Sequence, residues 1–182
     1  KAGGNAVDAA VAPGFAMAVT YPQASPIGGG GYMVIHMADG RVAALDYREV
    51  APLAATRNMY VDAHGKLTDK SRIGALAVGV PGAVAGMAAM LKKYGTMSLH
   101  DVMQPAIRLA EDGFTVDSAL SRSIAGGAKL IRPYEGASLF LPNNQALAPD
   151  TRLVQPELAR TLKAIADQGP DAFYRGWIAD SL

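Results

Sequence analysis

Long apolar stretches alternate along the chain with breaks rich in glycine and proline, and the period of each stretch decides the element it predicts. Ala6 to about Val19 is apolar on every side apart from Asp8 and follows Asn5, which with Asp8 three residues on makes a capping-box variant. A buried helix is expected, its many alanines admitting close neighbours. Pro13 falls inside it, removes an internal hydrogen bond and crowds the preceding turn, so a kink is expected there. Tyr21 to Gly31 reads as a loop. Tyr32 to Met37 and Val42 to Tyr47 are short β-type runs separated by Ala38-Asp39-Gly40-Arg41, and Asp-Gly between such runs signals a hairpin. The first arm is almost continuously apolar, the pattern of a strand covered on both faces.

Beyond the hairpin the pattern loosens. Ala51 to about Ile73 is irregular, with Asn58, Asp62 and His64-Gly65 as turn formers, and Leu76 to Val80 reads as a third strand. Pro81-Gly82 opens a helix of alanines and methionines that carries Lys92-Lys93 in its last turn and meets Gly95 just beyond. Ser98 and Asp101 form a capping box for a helix running to about Asp112, closed by Gly113 and bent at Pro105. Ser118 to Leu130 predicts another helix, followed by a loop rich in proline and asparagine through Asn144. Pro156 starts the most amphipathic helix, with Leu158, Leu162, Ile165 and Ala166 on one face until Gly169. Asp171 to Leu182 reads as a helix that is cut, and the opening Lys1-Ala2-Gly3-Gly4 looks cut as well.

Composition narrows the class. With 182 residues, 50% of them apolar and 18% charged, the chain is globular and of a length for one ordinary domain. A net charge of +1, from 17 basic and 16 acidic residues spread evenly, leaves no electrostatic footprint for nucleic acid or an anionic membrane. The longest apolar stretches fall short of the roughly 20 residues of a membrane span, so no transmembrane segment is expected. The absence of cysteine excludes disulfides and thiolate chemistry while leaving the compartment open.

Candidate chemistry concentrates in two segments. Gly28-Gly29-Gly30-Gly31 permits very close approach of backbone at an entropic cost that a merely structural loop rarely needs, and Arg48 stands at the end of the second strand run. A guanidinium fork grips a carboxylate in bidentate fashion, so a main-chain collar near it suggests a pocket for a small carboxylate. The glycines lead into a strand rather than a helix and lack a following Lys-Ser/Thr, which argues against a phosphate loop. The structural alternative is a tight strand entrance where another backbone passes close by. Arg48 has its own structural alternative, a salt bridge to Glu49 or Asp46. Adjacent strand residues point to opposite faces, so Glu49 is a poor partner, whereas Asp46 shares the face of Arg48 and either orients or neutralises it. The same alternation speaks against a paired-carboxylate hydrolase built from Asp46 and Glu49. His36, His64 and His100 have no ligand spacing, so neither a metal nor a cofactor is expected. No G-x-S-x-G elbow supports a serine nucleophile. Met87, Met90, Met97 and Met103 read as packing residues.

Five segments occur in order: Gly3-Gly4-Asn5-Ala6-Val7-Asp8-Ala9-Ala10, Ile27-Gly28-Gly29-Gly30-Gly31-Tyr32-Met33, Asp46-Tyr47-Arg48-Glu49-Val50-Ala51-Pro52, Gly79-Val80-Pro81-Gly82 and Gln104-Pro105-Ala106-Ile107-Arg108-Leu109-Ala110. Together they resemble the N-terminal part of the large subunit of a γ-glutamyltransferase (γ-glutamyltranspeptidase), specifically as far as about Val116 and more weakly beyond. Pro13 and Tyr32 depart from the alanine and phenylalanine usual in that family. The resemblance implies an α+β N-terminal-nucleophile hydrolase fold, an αββα sandwich of which this chain is a helix-rich, incomplete portion with a β-hairpin. It implies self-cleavage into two subunits and an acyl-enzyme on the new N-terminal threonine of the small catalytic subunit. The arginine of the R-E-x-A-P motif holds the α-carboxylate of a small-molecule γ-glutamyl substrate, and by motif this is Arg48. Every threonine here is internal and no Thr-Thr-His segment occurs, so the catalytic group is expected outside the chain and the chain by itself inactive. The resemblance also implies a periplasmic or extracellular location. A glutaryl or cephalosporin acylase, a polyglutamate-processing relative and a non-catalytic scaffold module are the competing readings.

Overall fold

The capping residues start the first helix where their spacing requires. In the computed structural model, which describes residues 3–182, the elements run α1 (Ala6–Thr20), β1 (Tyr32–His36), β2 (Val42–Asp46), α2 (Ala83–Tyr94), α3 (Leu99–Glu111), β3 (Phe114–Thr115), α4 (Ser118–Ile131), α5 (Ala137–Phe140), β4 (Arg152–Leu153), α6 (Pro156–Gln168), α7 (Asp171–Tyr174) and α8 (Trp177–Ser181). The chain is α+β and helix-rich, and it divides into two compact units. One comprises the chain up to Pro26 together with Met87–Leu182, the other Ile27–Gly86.

In the first unit α3 packs between α1 and α6. Val11, Phe15 and Val19 of α1, Met103 and Ala106 of α3, and Leu162 and Ile165 of α6 are buried. A second cluster, built on Val116, Leu120, Ile124, Leu141, Leu147 and Leu153, joins α4 to the short antiparallel pair β3–β4. Gln155, at the entry to α6, ties the helices together: its side chain donates to the Val19 carbonyl at 2.9 Å and its main-chain N–H to the Ala110 carbonyl at 2.8 Å.

Asp8 holds the start of α1 to the turn that follows α2. Its carboxylate, only 3% exposed, accepts from the Asn5 N–H at 2.6 Å, the Thr96 hydroxyl at 2.7 Å, and the N–H groups of Thr96 and Met97 at 3.0 Å. Asn5 completes the capping box by accepting from Val7 N–H at 2.8 Å, and its side-chain amide donates to the Tyr94 carbonyl at 2.7 Å. Burial by itself pushes the Asp8 carboxyl up; the hydrogen bonds from Asn5, Met97 and Thr96 outweigh it and bring the pKa from 3.8 down to about 2.

Several elements differ from expectation. α1 is not buried on every side: Ala9, Ala10, Pro13 and Met17 are exposed. Because Pro13 lies on that face, the helical donor it removes is lost where solvent is available, and α1 continues through it as one element. Pro105 likewise leaves α3 unbroken. Ser98 accepts from the Asp101 N–H at 3.0 Å, but its hydroxyl donates to the Asp101 carboxylate at 2.7 Å, so only half of that capping box forms. β1 and β2 pair antiparallel, Tyr32 with Asp46 through His36 with Val42, yet Tyr32 and Val34 are exposed because among the described residues no third strand or covering layer lies on that face. Leu76 to Val80 is not a strand. It makes a 3₁₀ turn and then one bridge, Val50 with Val80, and the ladder stops there because Pro81 has no N–H to continue it. The C-terminal segment breaks into α7 and α8 at Gly176, whose φ of 70° is incompatible with a continuous helix.

Replacing Asp8 with Asn removes a carboxylate whose folded pKa lies below its unfolded value, so the stability it supplies is complete above pH 4 and disappears as pH falls through 2. The expected cost near neutral pH is about 2 kcal/mol. Urea unfolding of the Asp8→Asn variant is expected to show that loss, together with a shallower decline in stability between pH 4 and pH 2 than the parent chain.

Candidate functional site

The segment that leaves β2 forms one wall of a cleft of about 500 Å³ in the unit Ile27–Gly86. Gly28, Arg48, Glu49, Tyr60, Val78 and Gly79 are among the residues that line it. The Tyr60 hydroxyl donates to the Leu76 carbonyl at 3.0 Å, while its own carbonyl accepts from the Thr68 hydroxyl at 2.7 Å. The first bond ties Tyr60 to the turn preceding Val78, the second to Thr68.

Arg48 meets Glu49, Nε to Oε2 at 3.2 Å, and among the described residues no other acidic side chain lies within ion-pair distance of it. This corrects the expectation that Glu49 is a poor partner. β2 ends at Asp46, so the alternation of strand side chains no longer applies at positions 48 and 49. Asp46 acts on the main chain, its carboxylate accepting from the Arg48 N–H at 2.9 Å. The two acids therefore meet the arginine through different atoms, Glu49 at the side chain and Asp46 at the main chain. Glu49 comes closest to the guanidinium at Nε, and the two terminal nitrogens form a second edge of the fork, the edge that a carboxylate can meet end-on. The Arg48 side chain is 55% exposed.

The glycine run contributes both to the cleft lining and to close backbone packing. Gly28 lines the cleft with Arg48. The Gly29 carbonyl accepts from the N–H groups of Gly82 and Ala83, both at 2.9 Å, and so satisfies donors at the start of α2. Gly30 lies against the backbone: a Cβ there would stand 2.5 Å from the Tyr47 carbonyl oxygen and 2.8 Å from Arg48 Cα. The Gly79–Gly82 segment meets the same atom, since a Cβ on Gly82 would lie 2.0 Å from the Tyr47 carbonyl oxygen. The motif Gly79-Val80-Pro81-Gly82 is thus the second backbone rail beside Tyr47 and Arg48, a pairing of distant segments that local sequence could not reveal. Tyr60 carried no signal at all, since an isolated tyrosine in an irregular stretch reads as a surface residue. His36, His64 and His100 are exposed, at the end of β1, in a loop and in α3 respectively. His100 faces Asp101 and Asp167 at 3.4 and 3.8 Å.

A family model described as gamma-glutamyltranspeptidase matches residues 1–182. The chain is 46% identical over 185 residues to the glutathione hydrolase proenzyme of Escherichia coli (strain K12), with 100% of this chain aligned to 32% of that protein. It is 45% identical over 189 residues to the Acylase ACY 1 proenzyme of Pseudomonas sp. (strain SE83), with 100% of this chain aligned to 34% of that protein. The crystal structure of Helicobacter pylori gamma-glutamyltranspeptidase aligns with a TM-score of 0.95 at 44% identity, covering 98% of this chain and 52% of that chain. The chain therefore spans about a third of the length of the curated relatives it matches. With the ordered motifs and the Arg48 cleft alongside these matches, the chain belongs to the gamma-glutamyltranspeptidase family.

Proposed function

We propose that the chain is the N-terminal portion of the large subunit of an enzyme that transfers or hydrolyses γ-glutamyl groups from glutathione-like donors, and that Arg48 anchors the α-carboxylate of the glutamyl moiety. The observation that carries this reading is the Arg48 fork in the lining of the cleft, with Glu49 closest to it at Nε and Asp46 holding its main chain. A planar fork that is already oriented loses less entropy on meeting a carboxylate than a free side chain does. The bond-breaking group, an N-terminal threonine of the small subunit from the same precursor, lies outside the chain in this reading. It attacks the γ-glutamyl amide to give an acyl-enzyme, which water or an acceptor amine resolves. The proposed location is the periplasm or the cell exterior; among the described residues no helix is long and apolar enough to cross a membrane.

The similarity to Acylase ACY 1 favours one rival, an acylase acting on a glutaryl group, which also presents a carboxylate to Arg48. Comparing γ-glutamyl and glutaryl anilides as substrates of the complete enzyme separates the two, because only the first carries an α-ammonium group beside its carboxylate. Preferential turnover of the glutaryl compound would replace the main proposal with the rival.

In the processed enzyme, Arg48→Lys is expected to raise KM for a γ-glutamyl anilide by about one to two decades, the equivalent of roughly 1.5–3 kcal/mol for a lost charge-assisted bidentate contact. Steady-state kinetics provide the check, and an unaltered KM removes Arg48 from the binding site. The 182-residue chain alone is expected to release no glutamate from the same anilide. Release above the rate of buffer would show that it contains its own nucleophile.

A further inference from the structure

Arg48 is more than half exposed and holds one ion pair, through Nε, so packing of its side chain does not aim it. Its direction is inherited from the backbone at positions 46 to 48, and the fixed point of that backbone is Tyr47. The Tyr47 N–H donates to the Gly31 carbonyl at 2.9 Å, and the Tyr47 carbonyl accepts from the Gly31 N–H at 3.3 Å. Its ring is seated against two glycines. A Cβ on Gly86 would lie 2.3 Å from the ring Cγ and 2.4 Å from the Tyr47 Cβ, and a Cβ on Gly31 would lie 3.0 Å from Cε2. Gly86 stands on α2, the helix whose first N–H groups are held by Gly29. The outer end of the ring thus rests against the glycine run and its base against the first turn of α2.

We propose that Tyr47 is the positioning residue for Arg48, its ring acting as a wedge between Gly31 and Gly86 that sets the direction in which the guanidinium leaves the chain. The inference rests on the reading of Arg48 as the carboxylate anchor. A rotation of the Tyr47 peptide displaces the guanidinium, several bonds further out, by more than it displaces the backbone. Binding that requires both terminal nitrogens on one carboxylate is sensitive to such a displacement. Phenylalanine keeps the ring contacts with both glycines, whereas leucine is smaller and has no planar ring to lie along them.

The test uses the complete processed enzyme with Tyr47→Leu, Tyr47→Phe, Arg48→Ala and the Tyr47→Leu/Arg48→Ala double variant. Tyr47→Leu is expected to raise KM for a γ-glutamyl anilide roughly tenfold while kcat stays within about twofold, because misplacing a binding group by about 1 Å is enough for effects of this size. Tyr47→Phe is expected to keep the parent KM. In the Arg48→Ala background Tyr47→Leu is expected to add nothing, since two residues acting through one contact are not additive. An unchanged KM in Tyr47→Leu, or KM effects that multiply in the double variant, overturns the proposal while leaving Arg48 as the anchor. A parent-like KM in Arg48→Ala overturns the anchor reading itself, and this inference with it. Should Tyr47→Leu fail to yield processed enzyme, Gly86→Ala, which drives a methyl group into the same ring, is held to the same outcomes.

Discussion

The cleft depends on a steric constraint: Tyr47 and Arg48 lie against two stretches of backbone that approach too closely for any side chain to intervene. A methyl group at Gly82 would sit 2.0 Å from the Tyr47 carbonyl oxygen, and one at Gly30 2.5 Å from the same atom, both well inside van der Waals contact. Glycine at each site costs roughly 0.5–1 kcal/mol in chain entropy relative to alanine where the element is regular. What that cost secures is position. The Gly31–Tyr47 and Val50–Val80 hydrogen bonds hold the ends of a short, irregular segment whose middle carries Arg48 and Glu49. Secondary structure alone would not fix such a segment, because β2 has already ended at Asp46.

The two units use charged side chains in opposite ways. Asp8 is buried and saturated, its oxygens taking hydrogen bonds from Asn5, Thr96 and Met97, and its charge is stabilised entirely within the fold. Arg48 is half exposed, with only one atom of its fork engaged by a carboxylate. A saturated charge has nothing left to offer a ligand; an oriented charge with an open end does. Under the proposed function, that contrast separates the structural ion from the recognition ion better than burial or sequence motif does separately, since both residues fall within motifs of the same family resemblance.

Much of this was legible in the chain. The Asn5–Asp8 spacing gave the start of α1, Asp39-Gly40 gave the hairpin, and Pro156 with Gly169 bracketed α6, because each of these signals acts through contacts within a few residues. The failures share a different cause. Leu76 to Val80 has strand composition, but Pro81 and the single partner Val50 leave it one bridge, and that partner is 30 residues away in the sequence. The pairing of Arg48 with Glu49 was hidden because it depends on where β2 stops, and strand boundaries are poorly encoded locally. The glycine run was visible as unusual, but its partner, the Gly79–Gly82 rail, was visible only as a motif. Nothing in either segment says that the two flank the same peptide.

The exposure of Arg48 sets a limit on what the site accomplishes by itself. Exposed ion pairs are worth only about 0–1 kcal/mol, because water competes for both partners and salt screens them. At 55% exposure the guanidinium in this chain orients a carboxylate better than it retains one. The larger effect expected for Arg48→Lys in the processed enzyme therefore requires a site from which water has been displaced, where charge-assisted bonds are roughly twice as strong as neutral ones. The chain spans about a third of its relatives' length. Under the proposed function, the remaining polypeptide then has two roles at this cleft. It brings the nucleophile, and it covers Arg48 closely enough to turn an orienting contact into a binding one.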